Sequence, residues 1–266
     1  MTARESSPAR LLRILLPLIA LAAGVAVWEA VVRINNLPVY VLPAPSVVFT
    51  TLVQDWPLLF GSLLTTLSTT VQGFIAAAIG GIALAVLFSR SKWLEYALLP
   101  YAVILQVTPV IAIAPLLLIY LPQHLAVVVC AWIVSFFPVL SNTTLGLNSV
   151  DRNLLGLFEL YGATRTQTLR RLKLPSALPH ILGGLRIAGG LSLIGAVVAE
   201  IAAGSAGAGS GLAYRIAEAG YRLNIPRMFA ALLLLSIAGI VIYLGLSLAS
   251  YLVLRRWHES ALGKEN

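Results

Sequence analysis

Apolar residues in this chain fall into long unbroken runs, and the polar residues gather in the short stretches between them. Six runs, Leu11–Val32, Leu58–Phe88, Leu94–Leu118, Leu125–Leu147, Ile181–Ala203 and Met228–Leu254, each exceed the roughly 20 helical residues that cross a hydrocarbon core about 30 Å thick. None shows the short alternating segments of a membrane β-barrel. The pattern predicts an all-α integral membrane protein of about six transmembrane helices. Arginines ahead of the first run imitate a secretory leader, but that run is longer than a leader's apolar core and no clear cleavage site follows it, so it reads as a retained span.

The connections set the orientation, because Lys and Arg accumulate on the cytoplasmic side. With the N-terminus inside, the inner segments carry Arg4, Arg10, Arg13, Arg90, Lys92, Arg152, Arg165, Arg170, Arg171, Lys173, Arg255, Arg256 and Lys264, and the outer ones only Arg33, Arg215, Arg222 and Arg227. Both termini are therefore expected in the cytoplasm. This gives a tail at 1–10, a membrane domain at 11–254 with its longest cytoplasmic connection at 148–180, and a tail at 255–266. On the outer side, the stretch "YVLPAPSVVFTTL" predicts an extended, proline-limited start and then a short interfacial helix capped by Ser46. The stretch "AGSAGAGSGLAYRIAEAG" predicts a flexible loop and a short helix from about Leu212.

Composition narrows the function. Of 266 residues, 59% are hydrophobic and 11% charged, against about 25% charged in an ordinary soluble domain. The net charge of +8 would suit nucleic acid, but the basic residues lie in clusters between spans with no polar domain to present them, so the lipid bilayer and not nucleic acid is the expected partner. The single cysteine, Cys130, lies inside an apolar run as a small lipid-facing or packed side chain, which excludes a disulfide framework and a thiolate metal site. His124, His180 and His258 fall in three different connections, and no H-E-x-x-H, paired carboxylates or phosphate-cradling G-x-x-x-x-G-K-[ST] segment is present. No catalytic residue, metal site or cofactor is expected in this chain.

The most informative polar stretch is "NSVDRNLLGLFELYGATRTQTLRRLKLPSALPHILGGLR". Asp151 is placed to cap a helix whose Leu154, Leu155, Phe158 and then Leu160 or Tyr161 share a side. Gly162 permits the backbone turn that follows. Thr164 and Gln167 stand in capping-box register for a second helix, with Leu169 and Leu172 inward and Arg170, Arg171 and Lys173 outward. Pro175 is expected to stop that helix, since it cannot continue the hydrogen-bond ladder. Two short helices joined at a glycine make a compact knob suited to docking.

This stretch resembles the signature loop of binding-protein-dependent ABC transporter permeases, in which a glycine is followed ten residues later by an aliphatic residue and then Leu-Pro; Gly162, Leu172, Leu174 and Pro175 stand in that spacing. "PSALPHILGGLRIAGGLSLIGAVVAEI", "YVLPAPSVVFTTL" and "QVTPVIAIAPLLLIY" are similar to segments of the nitrate, sulfonate, taurine and bicarbonate importer permeases, and the likeness runs from about Trp28 to Tyr251. It implies the type I importer permease fold in the cell's inner membrane. It also implies a second permease copy, two cytoplasmic ABC ATPase subunits that bind the ATP and Mg, and an extracytoplasmic solute-binding protein. The implied cargo is a small solute such as a sulfonate, nitrate or pyrimidine-like compound. In that family a glutamate and two alanines begin six residues before the glycine, whereas this chain has Gly156, Leu157 and Phe158. Docking is then expected to use Glu159, Arg165 or apolar area, or to involve a divergent partner.

The spans offer candidates for the path. Pro109 and Pro115 interrupt the third run, with Gln106 and Thr108 close by; this is either a packing kink or a polar break facing the path. Ser135 and Asn142 in the fourth run would line its lower part. Glu200 near the end of the fifth is read as a structural or gating group, a substrate contact or an interfacial charge. Glycines 73, 80 and 81 in the second run and 183, 184, 189, 190 and 195 in the fifth allow close helix approach. A secondary carrier or channel is the alternative, for which inverted repeats or a discontinuous helix would be expected; the sequence displays neither.

Overall fold

The computed structural model describes residues 7–204 and 209–255. Among these there are helices and no strands. In chain order they are α1 (Ser7–Ile34), α2 (Pro45–Gln54), α3 (Trp56–Arg90), α4 (Lys92–Val107), α5 (Val110–Tyr120), α6 (Gln123–Asn148), α7 (Arg152–Leu160), α8 (Arg165–Thr168), a π-turn (Leu169–Lys173), α9 (Leu174–Ala203), α10 (Leu212–Tyr221) and α11 (Ile225–Leu254). Five helices are long and apolar enough to cross a membrane, and the bent pair α4 and α5 brings the number to six if it forms one span. Of the expected tails, residues 1–6 and 256–266, with Arg4, Arg256, His258 and Lys264, lie outside the described residues, as does 205–208 of the Gly/Ala/Ser loop.

The chain divides into two compact units, residues 1–59 with 215–233 and residues 60–214 with 234–266. The first is held by polar clasps. The Glu29 carboxylate accepts from Arg33 Nε at 2.6 Å and from the Ser46 hydroxyl and backbone N–H at 2.8 and 3.0 Å. Ser46 is therefore not the cap of α2: Ala44 takes that position, and Pro45 opens the helix where its missing N–H is no loss. Arg227 grips Asp55 through two nitrogens at 2.6 and 3.1 Å, and the Trp28 and Phe229 rings stack obliquely at 5.6 Å.

The second unit is organised around α6 and α9. A Cβ on Gly195 would lie 2.7 Å from the Cys130 carbonyl oxygen and 2.9 Å from the Ala131 Cα, so only glycine lets these two backbones approach. Gly73 plays the same part between α3 and α6, where a Cβ would lie 2.9 Å from the Val128 oxygen. Gly183 and Gly190, read from the sequence as contact glycines, face open space instead. One apolar cluster joins Phe88, Phe136, Leu140, Leu147, Leu169 and Ile181; a smaller one packs Ala114 and Cys130 against Ala196 and Ala199.

Two expectations about proline are corrected. The third apolar run is a discontinuous helix and not a kinked one: α4 and α5 meet at 98°. Thr108 is extended (ψ 123) because the residue before proline avoids the α region, its hydroxyl satisfies the Ile104 carbonyl at 2.7 Å, and Pro109 starts α5 while Pro115 stays inside it. Pro175, by contrast, stops nothing. Helix runs from Arg165 to Ala203, because the π-turn widens the ladder just before the proline, with Leu174 N–H bonded to Leu169 O five residues back. Residues 176–180, placed beyond the end of the short helix in the connection, are therefore helical too, and His180 lies inside α9.

Candidate functional site

The segment between α6 and α9 is built by local rules. Asp151 caps α7 by accepting from the Asn153 N–H at 2.8 Å. The far end closes at Gly162, whose φ of +64 suits glycine. There Gly162 N–H bonds to Glu159 O and Ala163 N–H to Phe158 O, both at 2.9 Å, the two bonds of a Schellman ending. The capping box is complete: Thr164 N–H donates to Gln167 Oε1 at 2.7 Å, and Gln167 N–H to Thr164 Oγ1 at 3.3 Å.

These turns present α7 outward on a fixed base. No residue of α7 is buried, and Leu154 and Leu157 are exposed, with Leu160 at 86% and Tyr161 at 83%. Gly156 and Phe158 are half-buried, and Glu159 is exposed. A cleft of about 410 Å³ between α7 and the next helix is lined by Phe158, Tyr161, Gly162, Gln167 and Arg171. The base is apolar: Leu169 and Leu172 are buried, and Leu169 joins the cluster containing Leu147 and Ile181. Arg165, Arg170 and Arg171 are exposed, while Leu174 and Pro175 are half-buried. Leu169 therefore ties the start of this segment to residues of both α6 and α9.

The path candidates differ in exposure and in partners. Gln106 is exposed and Thr108 half-buried at the α4–α5 break. Ser135 is fully buried and donates to the Ala131 carbonyl at 2.6 Å. Asn142 donates to the Pro138 carbonyl at 2.8 Å. Glu200 is only 3% exposed, which rules out an interfacial charge. Its Oε2 accepts from Thr66 Oγ1 at 3.0 Å and from the Ala213 N–H at 3.1 Å, and Thr66 in turn accepts the Leu212 N–H at 2.8 Å. The carboxylate thus serves the first turn of α10 as a distant cap, an arrangement favoured by the dipole at a helix N-terminus. A Cβ at Gly211 would overlap the carboxyl group. Glu200 Oε1 has no hydrogen-bond partner and borders a cavity of about 190 Å³ with Thr65, Thr69, Gln123 and His124.

Sequence reasoning overlooked Thr66. Its signal was present as Ser62, Thr66 and Thr70 at four-residue spacing in the second run, all of them buried.

Comparison with known proteins follows the same lines. The family model described as "Binding-protein-dependent transport system inner membrane component" matches residues 77–259. A probable ABC transporter permease protein of Haemophilus influenzae is 33% identical over 87% of this chain and 94% of its own. The riboflavin transport system permease protein RibX of Chloroflexus aurantiacus is 33% identical over 88% of this chain and 86% of its own. The formylaminopyrimidine transport permease protein ThiX of Halalkalibacterium halodurans is 36% identical over 81% and 85%. A solved structure of an amino acid ABC transporter with histidines matches 78% of this chain and 98% of that one with a TM-score of 0.62 at 22% identity, a likeness of fold.

Proposed function

The chain belongs to the inner membrane components of binding-protein-dependent transport systems, and on that premise we propose that it forms the translocation path of an ATP-driven importer for a small solute. The observation that carries the coupling is the α7–α8 segment, an exposed apolar helix capped at both ends and rooted through Leu169 in the core. In this reading both termini and that segment are cytoplasmic, as the Lys and Arg distribution favours, within the cell's inner membrane. The membrane domain spans 11–254 between short tails at 1–10 and 255–266, in the six-span type I arrangement with α4 and α5 as one broken span.

Leu154, Leu157, Leu160 and Tyr161 dock on a cytoplasmic ATPase, taking the place of a glutamate and two alanines with apolar area, while Glu159, Arg165, Arg170 and Arg171 add charge at the rim. Two ATPase subunits supply ATP and Mg binding, a second copy of this chain completes the route, and an extracytoplasmic binding protein delivers the solute. ATP closure acts as a differential binding energy that shifts the population between inward- and outward-open states. Leu172, Leu174 and Pro175 carry that motion into α9. Gln106, Thr108, Pro109 and Pro115 at the broken helix, with Ser135, Asn142 and Glu200, are the proposed path side chains. Of the solutes considered, a pyrimidine-like compound has the support of the relative named for formylaminopyrimidine, ahead of a sulfonate or nitrate.

The broken helix favours one rival, since discontinuous helices also mark secondary carriers. Copurification separates the two: an ATPase pair that travels with the chain, and whose hydrolysis rises with binding protein, supports the importer. Solute flux by the chain alone overturns it. The solute itself is identified by screening compounds for those that raise the melting temperature of the binding protein, as a specific ligand must by mass action.

A further inference from the structure

The end of α3, α7 and the start of the α8–α9 helix line a cavity of about 440 Å³. Arg90, Arg165 and Lys173 line it, with Glu159 as the one opposite charge. Among the described residues, none of these three cations has an ion pair. Leu155 and Leu169 give the same cavity an apolar wall, and Leu169 is buried. Three like charges around one space repel each other unless an anion joins them, and a single carboxylate leaves a surplus of two.

We infer that this cavity seats the phosphodiester headgroup of an anionic phospholipid, with the glycerol against Leu155 and Leu169 and the phosphate between Arg90, Arg165 and Lys173. Depth selects a lipid over a soluble anion. Arg90 is the last residue of α3, two positions after the fully buried Phe88, so the basic rim begins where the apolar span ends. Basic pockets at that level on the cytoplasmic side suit anionic headgroups. The inference rests on the cytoplasmic placement of the coupling segment proposed above. Its effect is specific: Arg165 opens α8 and Lys173 is the last residue of the π-turn, so a bound headgroup holds the base of the coupling segment to the end of α3.

The test uses the full chain in neutral detergent, with native mass spectrometry under titration of phosphatidylglycerol or phosphatidylcholine. One phosphatidylglycerol more than phosphatidylcholine is expected to stay bound. Each charge removed weakens its retention about fivefold, since a basic group near an anionic surface contributes about 1 kcal/mol. The triple variant Arg90→Gln/Arg165→Gln/Lys173→Gln loses roughly a hundredfold by the same reasoning, the single variant Lys173→Gln covers any failure of the triple to fold, and Arg152→Gln retains the lipid. In a parallel arm, inorganic phosphate at millimolar concentration leaves the melting temperature unchanged. Equal retention of both lipids, equal retention by the variants, or protection by phosphate alone overturns the proposal. So does loss of a copurified ATPase by Lys173→Gln with phosphatidylglycerol retention intact, which would make the pocket a protein contact and leave the importer reading standing.

Discussion

Replacing Thr66 by valine removes one oxygen atom and keeps the side chain's shape, which makes it a direct test of the link between α3, α9 and the start of α10. The hydroxyl does two things: it donates to Glu200 Oε2 at 3.0 Å and accepts the Leu212 N–H at 2.8 Å. Hydrogen bonds between side chains of membrane helices average only about 0.6 kcal/mol and reach about 1.7, so the Glu200 bond alone would be a small loss. The Leu212 amide decides the outcome. Leu212 and Thr66 are fully buried, and stranding a buried donor costs about 1–3 kcal/mol. The total is about 2–4 kcal/mol, and local opening of that turn then rises roughly thirty- to a thousandfold. Hydrogen exchange in detergent should show this at the Leu212 and Ala213 amides, with exchange in α6 unchanged. Thr66→Ser keeps the hydroxyl and should restore protection. Wild-type exchange at both amides in the valine variant would refute the claim that Thr66 and Glu200 jointly hold the first turn of α10.

Three further outcomes are expected. Gly195→Leu should abolish folded yield, because its Cβ would meet the Cys130 and Ala131 backbone, which cannot rotate aside; Gly190→Leu, which faces open space, should leave the yield near wild type, and equal yields would refute the packing argument. Gly162→Ala meets nothing within 4 Å, so only its positive φ matters, at a cost of about 1–2 kcal/mol; the end of α7 should exchange at least about fivefold faster while assembly is retained, and loss of assembly would show a role beyond the turn. Arg170→Ala/Arg171→Ala should lower stimulation of the ATPase by binding protein severalfold at unchanged assembly, and unaltered stimulation would remove both arginines from the coupling.

The spans were legible because the bilayer imposes a length and a composition that the runs display openly: α3, α6, α9 and α11 each contain the run that predicted them. The turns between α6 and α9 were legible for a different reason. Asp151, Gly162, Thr164 and Gln167 act within five residues of themselves, so their chemistry needs no knowledge of the rest of the fold. What the runs hid was the response of a helix to proline. Pro109 and Pro175 look alike in sequence, yet one accompanies a bend of 98° and the other lies in unbroken helix.

The difference between those two prolines is set by what surrounds them. At Pro109 the preceding Thr108 is extended, as a residue before proline prefers, and both its hydroxyl and its backbone N–H bond to the Ile104 carbonyl, which closes α4 where the chain turns away. Before Pro175 the buried Leu169 and Leu172 pin the helix to its neighbours. The ladder widens by one residue there because bending away would pull those leucines out of the core. Glu200 follows the same logic. A carboxylate near the end of an apolar run suggests an interfacial charge until Thr66 and the Ala213 amide, distant in sequence, supply partners that let it stay buried. Where a polar or helix-breaking residue finds its compensation within one turn, sequence alone is enough. Where the compensation comes from another helix, only the fold decides whether the residue bends, caps or gates.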